Sequence, residues 1–300
     1  MGATVADDGR LGDSLREYAA AKFSGLVRVE GQPGGAIHLV DGGISACQTS
    51  GAPSLEVILL RSGRIAEADW NAAFAQSAIA DRPMTVELVE RGLLGAGELE
   101  ALLRIALADA VFALAGGRVD RVTEAPAANC LLPLDPAARA GWLLAEASRR
   151  RQALSAFPAP PLSAADRIAV AHPAVLPGPA LGPAPGHGQG EILALVDGRR
   201  TPRDLAFALG RGLYETMLAL ARLQASNAIV VAAPGPARAP ARPGEDAPDG
   251  EHDEAASGLP RRSRDRAGFA RAGDTGRRGF AANLRMLLPR SEGESPAESS

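Results

Sequence analysis

Eight apolar residues, Leu99, Leu102, Leu103, Ala106, Leu107, Ala110, Val111 and Leu114, recur at i, i+3, i+4, i+7 spacing in the middle of the chain. A helix with so wide an apolar stripe must be covered along its whole length, so the rest of the fold has to supply a surface for it. Glu100, Arg104 and Asp109 fall largely outside the stripe. Gly116-Gly117 ends the helix.

The surface is supplied by strands. Residues 25–30 alternate apolar and polar, residues 35–40 repeat the pattern, and Asp41-Gly42-Gly43 brings the positive-φ residues of a tight hairpin. Residues 44–48 return as a third strand, and residues 118–122 give a short fourth. Helical spacing covers residues 15–22, and Ser54 can cap a helix with Leu55, Ile58 and Leu59 on one face, ended by Gly63. Residues 65–77 read as another helix, carrying Trp70 and Phe74. A last helix follows Asp135-Pro136, carries Trp142, Leu143, Leu144 and Ala147, and closes on Arg149-Arg150-Arg151. Helix, strand meander, helices, strand, helix is an α+β order with an antiparallel sheet. With only 4% aromatic residues, its core has to be built from Leu, Val, Ile and Ala.

Pro and Gly divide the chain further. Residues 11–157 read as one folded domain, 158–188 as a Pro/Gly/Ala-rich spacer, 189–232 as a second folded piece and 233–300 as a tail too poor in large apolar residues to fold. In the second piece Ile192, Leu193, Leu195 and Val196 form a short helix ended by Asp197-Gly198. Thr201-Pro202-Arg203-Asp204 is a helix start, with Thr201 as cap, proline where no N–H is needed and Asp204 three residues on. Gly210 ends that helix. A third places Leu213, Met217, Leu220 and Leu223 inward, Asn227 caps it, and residues 228–231 are a strand. Three helices and a strand outline a winged helix-turn-helix. The second strand of the wing is missing, since Pro234 opens a proline-rich run.

Two resemblances follow from these segments. Ser24-Gly25-Leu26, Ile37-His38-Leu39-Val40-Asp41-Gly42-Gly43-Ile44, Ile58-Leu59-Leu60 to Gly63-Arg64-Ile65, Gly92-Leu93-Leu94 to Phe112, and Trp142-Leu143-Leu144 to Arg150 follow in the order of a PATAN-type domain, and the first half of the chain resembles that family. The family is found in bacterial response regulators and related signalling proteins. The resemblance implies signalling or protein interaction, with no catalytic, cofactor-binding or metal-binding residues to carry over. Residues 190–231 resemble the winged-helix modules that follow such domains and, loosely, the core of MarR-like regulators. A DNA-reading helix would offer Arg211, Tyr214 and Thr216 in its first turn, with Arg199, Arg200 and Arg203 nearby and Arg222 later, although Glu215 sits where a phosphate would pass. The same arginines can equally cover a protein partner.

Other chemistry finds no pattern. His38, His172, His187 and His252 are scattered, and none lies four residues from another, so no helical zinc pair exists. His38 is expected to be an exposed strand residue. Lys22 is the only lysine, which excludes a phosphate loop of the Gly-Lys type, and no Gly-x-Ser-x-Gly elbow occurs. Cys47 and Cys130 stand far apart, so a reducing compartment is the natural setting. The acidic first residues lack the apolar region of a signal peptide, and charges interrupt the longest apolar stretch, so integral membrane association is not expected and a cytoplasmic location is. A net charge of −3 draws the chain to no polyanion as a whole. In the tail, a short helix at 278–288 with Phe280, Leu284, Leu287 and Leu288 on one stripe, and Arg285 beside it, has the pattern of a segment that folds on a partner's groove or on an anionic membrane surface. These readings converge on a non-enzymatic regulatory protein, a transcriptional regulator or a protein-binding adaptor, with a protein partner, and DNA if the second piece reads it.

Overall fold

Asp41 and Gly42 adopt φ of 49° and 77°, the left-handed pair that a two-residue hairpin requires. They join β2 (Gly35–Val40) to β3 (Gly43–Thr49), and Val40 pairs with Gly43 across the turn. With β1 (Gly25–Gln32), β4 (Arg118–Ala125) and the two-residue β5 (Ala138–Arg139), these strands form an antiparallel sheet in the order β4-β1-β2-β3-β5. The computed structural model describes residues 8–126, 130–171 and 189–232. His172, His187 and His252, part of the spacer, and the tail with its run at 278–288 lie outside the described residues.

Val27, Val29, Ile37, Leu39 and Ile44 are buried on one face of the sheet. The long helix α5 (Ala96–Ala115) packs against that sheet, together with α1 (Asp8–Ala20) and α6 (Ala140–Ser155). The stripe seen in the sequence understates how enclosed α5 is. Every residue from Ala106 to Ala115 is buried, and this includes Asp109, which lies outside the stripe and is only 2% exposed. Sequence spacing marks the first covered side of a helix, but the second side here is covered by α6 and by a helix more than a hundred residues later. Between β3 and α5 lie α2 (Leu55–Arg61), capped by the Ser54 side chain, α3 (Glu67–Ala80) and α4 (Met84–Glu90).

The second piece contains α7 (Gln189–Leu195), α8 (Pro202–Leu209), α9 (Leu213–Ala225) and β7 (Ile229–Val231). The strand after α9 has a partner, and that partner precedes the three helices. It is β6 (Ile168–Val170), which pairs antiparallel with β7 through Ile168↔Val231, Ala169↔Val230 and Val170↔Ile229. It lies inside the segment read as a spacer, where three residues among prolines carry too little alternation to stand out. Asn227 takes φ 58°, the left-handed turn expected after α9.

Thr201 and Asp204 close a reciprocal cap on α8: the Asp204 N–H donates to Thr201 Oγ1 at 3.2 Å, and the Thr201 N–H donates to Asp204 Oδ2 at 3.1 Å. Burial alone would raise the Asp204 carboxyl, but the Thr201 N–H and hydroxyl and the Arg203 guanidinium hold it below its ordinary value. A depressed carboxyl contributes stability above its unfolded value and loses it as the pH falls through the folded one. Thr201→Ala is therefore expected to cost about 1 kcal/mol at neutral pH. That difference should shrink once the carboxyl is protonated, which urea midpoints of both proteins at neutral and acid pH will measure.

Candidate functional site

Helix α9 belongs to two cores at once. Leu220 and Leu223 join Leu162, Ile168, Ile192, Val196, Leu205 and Ile229 in a small core of the second piece. Leu213, Met217 and Ala221 join the core of the sheet domain instead, with Tyr214 and Leu218 packed against it. These are two adjacent stripes, at i, i+4, i+8 and at i, i+3. The single inward face read from the sequence merges them. The second piece is therefore docked on the domain and not held apart from it.

The docking surface is ionic at its centre. From α6, Arg150 donates through Nη1 to Asp109 Oδ1 of α5 at 2.5 Å and through Nε to Glu146 Oε1 at 2.9 Å. Both Arg150 and Asp109 side chains are 3% exposed. Arg149 holds the other Glu146 oxygen at 2.6 Å. The Tyr214 ring lies 4.9 Å from the Arg150 guanidinium and meets Phe112 of α5 edge-on at 5.8 Å. The guanidinium is thus shared by two carboxylates and one aromatic face, a planar geometry lysine does not reproduce.

Asp109 sits at the N-terminus of α9, where helix N–H groups favour negative charge. Burial pushes its carboxyl up, against the pull of Arg150 and of the Tyr214 and Leu213 N–H groups. Its Oδ2 is sealed against Gly212, where a side chain would collide with it, and finds no hydrogen-bond partner among the described residues. Burial would also raise Glu146, but Arg149 and Arg150 outweigh it and hold that carboxyl below its ordinary value.

The residues proposed from the sequence as a binding set do not form one surface. Thr216 is fully buried, its hydroxyl donating to the Gly212 carbonyl at 2.9 Å. Tyr214 is inside the joint. Arg211 lies against Glu191 at 2.5 Å, and Arg203 approaches Asp204 at 3.5 Å. Arg200 donates to the Leu195 carbonyl at 2.9 Å and lies 3.7 Å from Asp197, whose Oδ1 accepts the Arg199 and Arg200 N–H groups. Arg199 and Arg222 are exposed, and the outward face of α9 offers Arg222 together with Glu215. The joint itself was not visible in the sequence. Its one trace was a charged residue, Asp109, at a position flanked by apolar residues on both sides.

A separate depression of about 240 Å³ lies over β2, lined mainly by apolar atoms of Leu26, Val40 and Pro133 with His38, Ser45 and Cys130. His38, expected to be exposed, is half-buried there, and burial lowers its imidazole below the ordinary value. Burial raises the Cys130 thiol, and it pushes that of Cys47 up to about 12. In each case burial disfavours the charged form. Asp41 does not line the depression. Among the described residues no three His, Cys, Asp or Glu side chains gather at metal-binding distance, and no helix is long and apolar enough to cross a membrane. No known protein family, curated protein or solved structure matches this chain.

Proposed function

We propose that this chain is a non-enzymatic, cytoplasmic regulatory protein of the bacterial signalling type, with a PATAN-like domain and a winged-helix-like module, and that in its docked form it acts as an adaptor through protein contacts. The observation that carries this reading is the burial of the first turn of α9. A helix that reads base edges does so with the residues of that turn. Here Leu213, Tyr214, Thr216 and Met217 face the domain and the module's own interior. The arginines around them are largely matched by carboxylates of the same piece, so little uncompensated charge is left for phosphates.

One observation favours a second reading, a DNA-binding regulator held shut by the joint: the three helices are accompanied by an antiparallel strand pair, β6–β7, with β7 packed beside α9. Fluorescence anisotropy of labelled genomic fragments across a salt series separates the two. The adaptor reading expects no salt-sensitive binding by the wild-type chain or by Arg150→Ala. Binding that appears only in Arg150→Ala, and falls with added salt and with Arg200→Ala, supports the gated regulator. Salt-sensitive binding by the wild-type chain overturns the adaptor reading.

A further inference from the structure

Helix α3 is buried along one line only, Trp70, Ala73 and Ser77. The rest of its surface faces outward. Phe74 is 49% exposed and Ile79 is 79% exposed. On a helical projection Ala78, Ala75 and Ala68 lie between them, together with Asn71, and Ala72 continues beyond Ile79, all exposed. Two large apolar side chains thus border a floor of alanines, which lets a second helix approach closely. No residue from Trp70 to Ala80 carries a charge. Single exposed apolar residues are ordinary on a protein surface, but two large ones on one alanine-rich helix face, interrupted only by Asn71, are less so.

The charges around this face have one sign. Glu67 and Asp69 stand exposed in the first turn and Asp81 at the C-cap, and none has an ion-pair partner among the described residues. The neighbouring arginines are already matched: Arg64 with Glu98, Arg82 with Glu87 and Glu90, and Arg91 with Glu87. An apolar strip bracketed by unmatched carboxylates has as its complement an apolar strip bracketed by cations. A second copy of α3 is a poor match in either orientation. Parallel copies bring Asp81 against Asp81, and antiparallel copies bring Asp69 against Asp81.

We propose that the outer face of α3 is a docking surface for an amphipathic helix of a partner protein, flanked by arginine or lysine at its ends. The surface is remote in the sequence from the α9 joint and does not depend on it. Ile79 and Phe74 seat the partner's apolar ridge, and Glu67, Asp69 and Asp81 set its position along the helix.

The probe is a fluorescein-labelled helical peptide of about 14 residues, with leucines at i, i+4, i+7 and i+8 and paired arginines at both ends, titrated against the full chain. A peptide of the same composition in scrambled order is the comparison. The ordered peptide is expected to bind about tenfold more tightly than the scrambled one. Ile79→Glu and Phe74→Glu should each remove about tenfold in affinity, and Ile79→Glu should do so without changing the thermal midpoint, since that side chain is largely exposed. The triple substitution Glu67→Gln, Asp69→Asn, Asp81→Asn should weaken binding at low salt and flatten its salt dependence. Equal binding of the two peptides, or unchanged binding by Ile79→Glu, overturns the proposal. A wild-type dimer in light scattering that Ile79→Glu converts to a monomer also overturns it, by assigning the face to a second copy.

Discussion

Arg150→Ala is expected to destabilise the protein by about 3–5 kcal/mol, because it leaves the buried Asp109 carboxyl without its counter-charge and opens a void beneath Tyr214. For a folded unit of this size that corresponds to a fall in Tm of roughly 6–20 °C. Asp109 keeps only the N-terminus of α9, and Glu146 keeps Arg149, while Tyr214 loses the cation over its ring. Arg150→Lys restores the charge but not the planar fork, and should recover only part of the loss. The double variant Asp109→Asn, Arg150→Met should cost less than the sum of its parts, since the two side chains touch. Calorimetry of the wild-type chain, Asp109→Asn, Arg150→Met and the double variant measures this, and additive losses would mean that the joint is not a coupled unit.

Gly210→Ala is the second large effect, of about 2–5 kcal/mol from two sources. Gly210 ends α8 in the left-handed region at φ 63°, where a Cβ is strained. A Cβ there would also meet Arg61 Cβ at 2.5 Å and the Ser62 N–H at 2.9 Å, pushing α8 away from α2. Gly63 supplies the control. Its φ is 68°, yet nothing lies within 4 Å of where a Cβ would stand. Gly63→Ala should show the backbone strain alone, about 1–2 kcal/mol. The difference between the two variants in urea denaturation isolates the α2–α8 contact, and equal losses would show that this contact adds nothing to docking.

The sheet domain was legible because its signals are local. Asp41-Gly42 dictates a hairpin whatever surrounds it, and the Leu99–Leu114 periodicity dictates a helix that must be covered. The cap built by Thr201, Pro202 and Asp204 was legible for the same reason, since all its atoms lie within one turn. The joint was not, because Asp109, Arg150 and Tyr214 are far apart in sequence and each alone looks like an ordinary helix-surface residue. β6 was hidden by its length, and its partner β7 lies nearly sixty residues later. Thr216 looked available because a helix with one buried stripe has an outward first turn, while α9 has two buried stripes and almost no free side.

The double membership of α9 sets a threshold on what the module can answer to. A partner that needs the first turn of α9 must first displace Asp109 and the apolar stripe of Leu213, Met217 and Ala221. Its apparent affinity is its intrinsic affinity scaled by the fraction of molecules already open. Each 1.4 kcal/mol of docking weakens that affinity about tenfold, so the strength of one buried arginine cluster fixes the concentration at which such a partner begins to bind.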